Sequence, residues 1–336
     1  MKIIQTFATD WIEDRFDYNF LTQTLLYHLL SALTIRDVYG PDQEFILITD
    51  TKGKELLSAY NFPYTTITTD LDNYPYTRPV HLVGYKPYSF KLYPNDKVIH
   101  IDNDVFLKKK LPEFTEVIVQ SNEGNYITYN EAMRDTEYYS NFILPAGTTI
   151  SDYTYCYNPG VIGFSSDCSI KTEYVNTYHT VLEQNTDKLI SLATSNPELR
   201  SKIYGQSICT LLEESLLYNL CRDNSINVVE VINPSIAGTV TNYIPAEDNH
   251  AEYHYSTYDR LHDYCLELGY FHIFQKKRHQ KSWVIEQLGN MDSNATNTFI
   301  PNYKEEITSF LAKRDGLSIS PTNNEIALSL KYIIRA

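Results

Sequence analysis

The chain has 336 residues, 43% of them hydrophobic and 21% charged, and its net charge is −14 with the basic residues scattered. That length supports a full apolar core, in one large α/β domain or two modest ones, without staples. The acidic balance argues against a nucleic-acid grip, which needs a clustered basic surface; an anionic nucleotide stays open because a divalent cation can supply the missing charge.

From the N-terminus, residues 2–7 read as an apolar first strand, with none of the longer apolar run or small-residue cleavage site of a signal peptide. Leu21, Leu25, Leu29 and Leu33 recur every four residues, so residues 20–35 read as an amphipathic helix that Gly40-Pro41-Asp42 breaks. Residues 44–50 form a second, strongly apolar strand, 54–60 a short helix and 64–69 a strand. Residues 72–87 are rich in Pro, Tyr and Gly and read as an irregular loop, followed by a helical turn at 88–93. Residues 96–101 are the next strand, ending in Asp102-Asn103-Asp104, with the lysine run Lys108-Lys109-Lys110 expected in a solvated loop.

Val117-Ile118-Val119 reads as a strand, and a polar, tyrosine-rich region runs to Tyr155. Residues 157–164 read as a turn leading into an apolar strand, residues 171–193 and 204–221 as helices, and 227–232 as a late strand. A short apolar element at 269–274 precedes the basic run Lys276-Lys277-Arg278-His279. Strands alternating with helices predict an α/β sheet. No internal repeat is visible. Residues 1–282 are taken as one domain and 283–336 as a helical extension packed on it. No stretch approaches the roughly 20 apolar residues of a membrane span, so a soluble, cytoplasmic protein is expected. The five cysteines, Cys156, Cys168, Cys209, Cys221 and Cys265, form no CxxC pair and are expected to be buried reduced thiols. The 29 tyrosines suit sugar faces but equally suit a lineage bias.

Asp102 and Asp104 stand two residues apart after an apolar strand. Acids at such a strand end are costly to bury unless neutralised, and a hard divalent cation with oxygen ligands, Mg²⁺ or Mn²⁺, is a natural partner. Asp-Asn-Asp is also good turn chemistry.

The segment Lys97-Val98-Ile99-His100-Ile101-Asp102-Asn103-Asp104-Val105-Phe106-Leu107 resembles the signature strand of GT-A-fold glycosyltransferases, particularly the glycogenin and galactosyltransferase-like groups. The resemblance implies a Rossmann-like mixed sheet flanked by helices and a nucleoside-diphosphate-sugar donor, a UDP-sugar above all. It implies that Asp104 binds Mn²⁺ or Mg²⁺ directly and that Asp102 contacts the metal or the ribose, with Asn103 counted in the nucleotide set. Lys91 resembles the basic residue placed near the donor. Asn158-Pro159-Gly160-Val161-Ile162-Gly163-Phe164 is similar to the N-x-G-V-x-x-F element, where Asn158 and Gly160 let the sugar approach; glycine's freedom of dihedral suits that role. Glu213-Glu214 resembles the acid–amide pair facing the sugar. His272, then Lys277 and Arg278, resemble the C-terminal block that supplies a third metal ligand and a contact to the diphosphate. Base recognition is assigned to Phe7 and Thr9 in Thr6-Phe7-Ala8-Thr9. The resemblance covers about residues 1–280.

Taken singly, these residues have plainer readings: His272 as a core histidine, Lys276–Arg278 as a solvated face, Asn158–Gly163 as a turn, Glu213 and Glu214 as surface charges. If one helix runs through the acidic pair, Glu213 lies nearer the stripe of Ile208, Leu212 and Leu216 and faces inward. Two acids where the family has acid and amide leave open a general base, for inversion, or stabilisation of an oxocarbenium-like state, for retention. The acceptor is a saccharide, a lipid-linked sugar or a protein. A nucleotidyltransferase would carry a Gly-rich basic loop after the first strand, and Ala8-Thr9-Asp10-Trp11 is not one. A non-catalytic sugar- or partner-binding protein on the same scaffold is the remaining alternative.

Overall fold

The apolar runs become strands and the leucine stripe becomes a helix, giving an α/β fold with a mixed sheet flanked by helices. A computed structural model describes residues 1–9, 18–58, 60–75, 84–107, 109–122, 156–195, 212–232, 270–272 and 309. Two units divide the chain: one is Met1–Thr6, Asp70–Asp102 and Leu111–Leu261, the other Phe7–Thr69, Asn103–Lys110 and His262–Ala336. The chain leaves the first unit directly after Thr6 and again directly after Asp102. The expected boundary at residue 283 and the helices of the tail lie outside the described residues, as does the tyrosine-rich region from 123 to 155.

The first unit is built on strands β1 (Lys2–Phe7, all but its last residue), β4 (Val98–Ile101), β6 (Val117–Asn122), β7 (Tyr157–Phe164) and β8 (Val228–Glu230). Their order is β1-β4-β7-β6-β8, with β1 parallel to β4, β7 antiparallel to both β4 and β6, and β8 parallel to β6. Ile3, Ile4, Val98, Ile99, Val117, Ile118, Val161 and Ile162 are buried, as strands covered on both faces require. Helix α3 (Tyr85–Leu92) packs on α4 (Ile170–Ser195), and α4 packs on α5 (Leu217–Asp223) and on the π-helical turn Leu212–Leu216 before it.

The second unit holds α1 (Tyr18–Tyr39), β2 (Phe45–Thr49), α2 (Thr51–Ser58), β3 (Thr66–Thr68) parallel to β2, and β5 (Val105–Leu107) antiparallel to β9 (Tyr270–His272). Leu25, Leu29 and Leu33 of the predicted stripe are buried. The helix ends at Gly40, whose φ of 85° is the left-handed conformation of a C-terminal cap. Helix α2 starts earlier than expected because Asp50 caps it: the Gly53 N–H donates to Asp50 Oδ1 at 2.6 Å.

Three expectations need correction. The loop read at 72–87 already turns helical at Tyr85, because Pro87 sits in the first turn of α3, where its missing N–H costs no helical bond. Asn158-Pro159-Gly160 is strand rather than turn. Along β6 and β7 the pairing steps from Val119↔Ile162 to Ser121↔Asn158, two residues against four, so β7 carries a bulge of two extra residues. A bulge is where an inner strand tolerates proline. Gly160 does not have the positive φ that glycine's freedom suggested; among the described residues Gly40 is the glycine that does. Gly163 is required for another reason: a Cβ there would meet Val98 O and Ile118 Cγ2 at 2.8 Å.

Candidate active site

Strand β4 delivers Asp102 at its carboxyl end, beside the carboxyl end of parallel β1. Ligands of open α/β sheets collect beyond such ends. The Asp102 backbone is held on both sides: its N–H donates to Gly160 O at 2.9 Å, and Gln5 Nε2 donates to its carbonyl at 3.2 Å.

Lys86, the second residue of α3, is 6% exposed and gathers the site. Its Nζ lies 2.8 Å from Asp102 Oδ1 and 2.9 Å from Glu213 Oε1, and it donates to Pro159 O at 2.8 Å. The β7 bulge turns that carbonyl out of the ladder. Asn158 Oδ1 fixes the bulge by accepting the Gly160 N–H at 2.9 Å. Asp102, Asn158, Gly160 and Glu213, four of the residues singled out from the sequence, thus meet around a lysine that sequence reasoning passed over.

The electrostatics follow from one cation facing two carboxylates. Burial alone would lower the Lys86 pKa, but Asp102 and Glu213 outweigh it and hold the ammonium above the ordinary lysine value. Burial pushes the Glu213 carboxyl up to about 7, Lys86 opposing and Asp102 adding to the rise. Asp102, with 28% of its side chain exposed, stays open to solvent; Glu213, at 1%, is closed to it. Both Glu213 and Glu214 are buried, because the π-helical turn brings consecutive residues inward where an α-helix would have turned Glu214 away from the stripe. Tyr174 Oη donates to the Glu213 carbonyl at 3.2 Å and fixes the turn against α4.

In the second unit, Asn103 and Asp104 are half-buried in the turn between β4 and β5. Strand β5 pairs with β9 so that Val105, next to Asp104, stands opposite His272 in the ladder. The His272 side chain and the whole of Lys277 and Arg278 lie outside the described residues. The Thr9 N–H and hydroxyl donate to the Asp50 carboxylate at 2.6 and 2.9 Å, and the Phe7 ring stacks on His28 with centroids 5.4 Å apart. Lys91 is exposed on the last turn of α3.

Among the described residues, no group of three His, Cys, Asp or Glu side chains is gathered to hold a metal ion. Cys156, Cys168 and Cys221 are buried. No helix among the described residues is long and apolar enough to cross a membrane.

The fold and the cluster define an α/β protein with a buried lysine–carboxylate centre at its strand ends. It belongs to a family of unknown function (DUF6734), whose profile matches residues 1–309. No curated protein matches. Among solved structures the chain is similar to the galactosyltransferase LgtC in complex with donor and acceptor sugar analogs, with 11% identity, a TM-score of 0.39 and coverage of 96% of this chain and 98% of that one. It is similar to the glycosyltransferase GlyE of Streptococcus pneumoniae TIGR4, with 11% identity, a TM-score of 0.37 and coverage of 94% and 62%. It is also similar to the bifunctional glycosyltransferase WbbM, with 14% identity, a TM-score of 0.31 and coverage of 54% of this chain. The chain spans 34% of WbbM's length.

Proposed function

We propose that the protein is a metal-dependent glycosyltransferase that moves a sugar from a nucleoside-diphosphate sugar, a UDP-sugar above all, to a saccharide, lipid-linked or protein acceptor. The observation that carries this reading is Lys86, buried between Asp102 and Glu213 at the carboxyl end of β4 and bonded to the β7 bulge. A buried cation with two carboxylates costs stability relative to an apolar core, so its presence at a strand end favours chemistry over packing.

Asp102 and Asp104 offer hard oxygen donors on a half-buried turn, a donor set that fits Mn²⁺ or Mg²⁺, with His272 as the third ligand. Such a cation would neutralise charge on the departing diphosphate. Lys86 adds a fixed positive charge beside Asp102, preorganised toward the donor. Glu213 acts through Lys86 by holding its ammonium in place, and Glu214, buried on the same π-helical turn, is the carboxylate that faces the sugar in this reading. Asn158 shapes the bulge on which the sugar rests, and Lys277 or Arg278 assists at the diphosphate. Thr9 and Phe7 hold the segment after β1 for the base.

Calorimetry with UDP, with and without Mn²⁺, tests the reading, followed by a panel of nucleotide sugars assayed for released sugar. Mn²⁺-dependent nucleotide binding with slow hydrolysis of one donor is expected. Nucleotide binding without hydrolysis of any donor would favour a sugar-binding protein on the same scaffold, and no nucleotide binding would sink the proposal.

A further inference from the structure

His100 is the second residue before Asp102 on β4, so the two side chains share one face of the sheet. The imidazole is 2% exposed, with its edge toward Phe90 at 6.5 Å between centroids. Its Nε2 lies 3.1 Å from Thr6 Oγ1 on neighbouring β1. Its Nδ1 is buried and has no hydrogen-bond partner; the Asp102 Oδ1 atom is 3.6 Å away, beyond hydrogen-bond length. An unmet polar atom in a dry place is rare and calls for a reason.

A neutral imidazole carries one ring proton, on one nitrogen or the other. The Thr6 hydroxyl can donate to Nε2, which puts that proton on Nδ1, facing Asp102. The opposite tautomer would aim a lone pair at a carboxylate. A movement of about 0.6 Å would bring Oδ1 from 3.6 Å to the ordinary bond length of about 3.0 Å.

We infer that His100 is a positioning residue for Asp102: its Nδ1–H closes onto Oδ1 when Asp102 takes up its ligand, and Thr6 selects the tautomer that makes this possible. The inference rests on the proposed function above. Carboxylates that bind metals are themselves held by hydrogen bonds from behind, and losing such support costs 10–100-fold in metal affinity.

The test is Mn²⁺ affinity without nucleotide, read by electron paramagnetic resonance on the full chain. His100→Phe keeps the ring volume and removes both nitrogens; a loss of about tenfold is expected. His100→Asn returns an N–H near the place of Nδ1 and should recover affinity to within about threefold, as partial repair of such a contact predicts. His100→Gln reaches only the place of Nε2 and should not recover it. Wild-type affinity in His100→Phe, or rescue by Gln and not by Asn, would overturn the inference and leave His100 as a link between strands. Should His100→Phe not fold, Thr6→Val gives the same reading: weaker Mn²⁺ binding supports tautomer selection, and unchanged binding refutes it. Asp102→Ala separates the two levels. If wild type and Asp102→Ala bind Mn²⁺ equally, or neither binds it, the proposed function fails along with the inference; if they differ and the His100 variants do not, only the inference fails.

Discussion

Two aspartates follow apolar strands in this chain, Asp50 after β2 and Asp102 after β4, and they have opposite fates. Asp50 is met entirely by neutral donors: the Gly53 N–H at 2.6 Å and the Thr9 N–H and hydroxyl at 2.6 and 2.9 Å. It caps a helix and ties down the segment after β1, and its charge has nothing left to do. Asp102 is met by a cation it shares with Glu213, and 28% of its side chain stays open to water. The contrast shows what separates a structural acid from a chemical one. Backbone N–H groups satisfy a carboxylate locally and for good, whereas a shared lysine leaves two carboxyl groups competing for one ammonium.

Four substitutions break or sharpen that contrast. The largest effect is expected at Asp104, half-buried in the turn after β4: Asp104→Ala should abolish metal-dependent transfer while the denaturant midpoint stays near wild type. Lys86→Met should lower unfolding free energy by roughly 3–5 kcal/mol in urea titrations, because two acids lose the buried cation they share. A variant as stable as wild type would mean that the cluster is not held by charge.

Glu213 gives a pH signature. Its folded pKa, near 7, lies above the ordinary 4.5, so the native state holds its proton longer than the unfolded chain does. Stability linked to this group is complete below pH 4.5 and is lost as pH rises toward 7, by at most about 3 kcal/mol. Lys86, Asp102, Glu214 and the Tyr174 hydroxyl are the polar groups set around it. Stability of Glu213→Gln measured against pH in metal-free buffer should lack that decline, and an identical slope would place the proton elsewhere. The smallest effect belongs to the other aspartate. Asp50→Ala should cost about 1–2 kcal/mol, the usual loss of a helix cap, with Mn²⁺ binding of the folded protein unchanged.

Much of the scaffold was legible because burial writes itself into apolar runs. Strand β1 has the bounds read from sequence, and Leu25, Leu29 and Leu33 of α1 are buried. The Asp102 turn was legible for the same reason, since Val98, Ile99 and Ile101 mark a buried strand. Glu213 was expected inward only if one α-helix ran through the acidic pair; it is buried, but on a π-helical turn that buries Glu214 as well. Lys86 was not legible, because it stands beside Lys91 on a short helix and only tertiary contacts choose between them. Its apolar neighbours Tyr85, Tyr88 and Phe90 were the available hint, since a lysine among buried residues needs a partner. Glu214 was hidden by the assumption of an α-helical period, and the β7 bulge by the habit of reading Pro-Gly as a turn. His100 was visible as a polar residue inside an apolar strand, and its spacing of two from Asp102 already put both on one face.

The bulge in β7 has a consequence for how this chain can diverge. Its excess is two residues, an even number, so the alternation of faces resumes unchanged on either side and Asn158 stays on the face where it is needed. Loss of one residue there would reverse every side chain beyond it. Loss of both would restore a regular ladder and draw the Pro159 carbonyl back into the sheet, away from Lys86. Residue types around the centre are free to drift so long as charge and volume are kept, but the spacing from Asn158 to Ile162 is not.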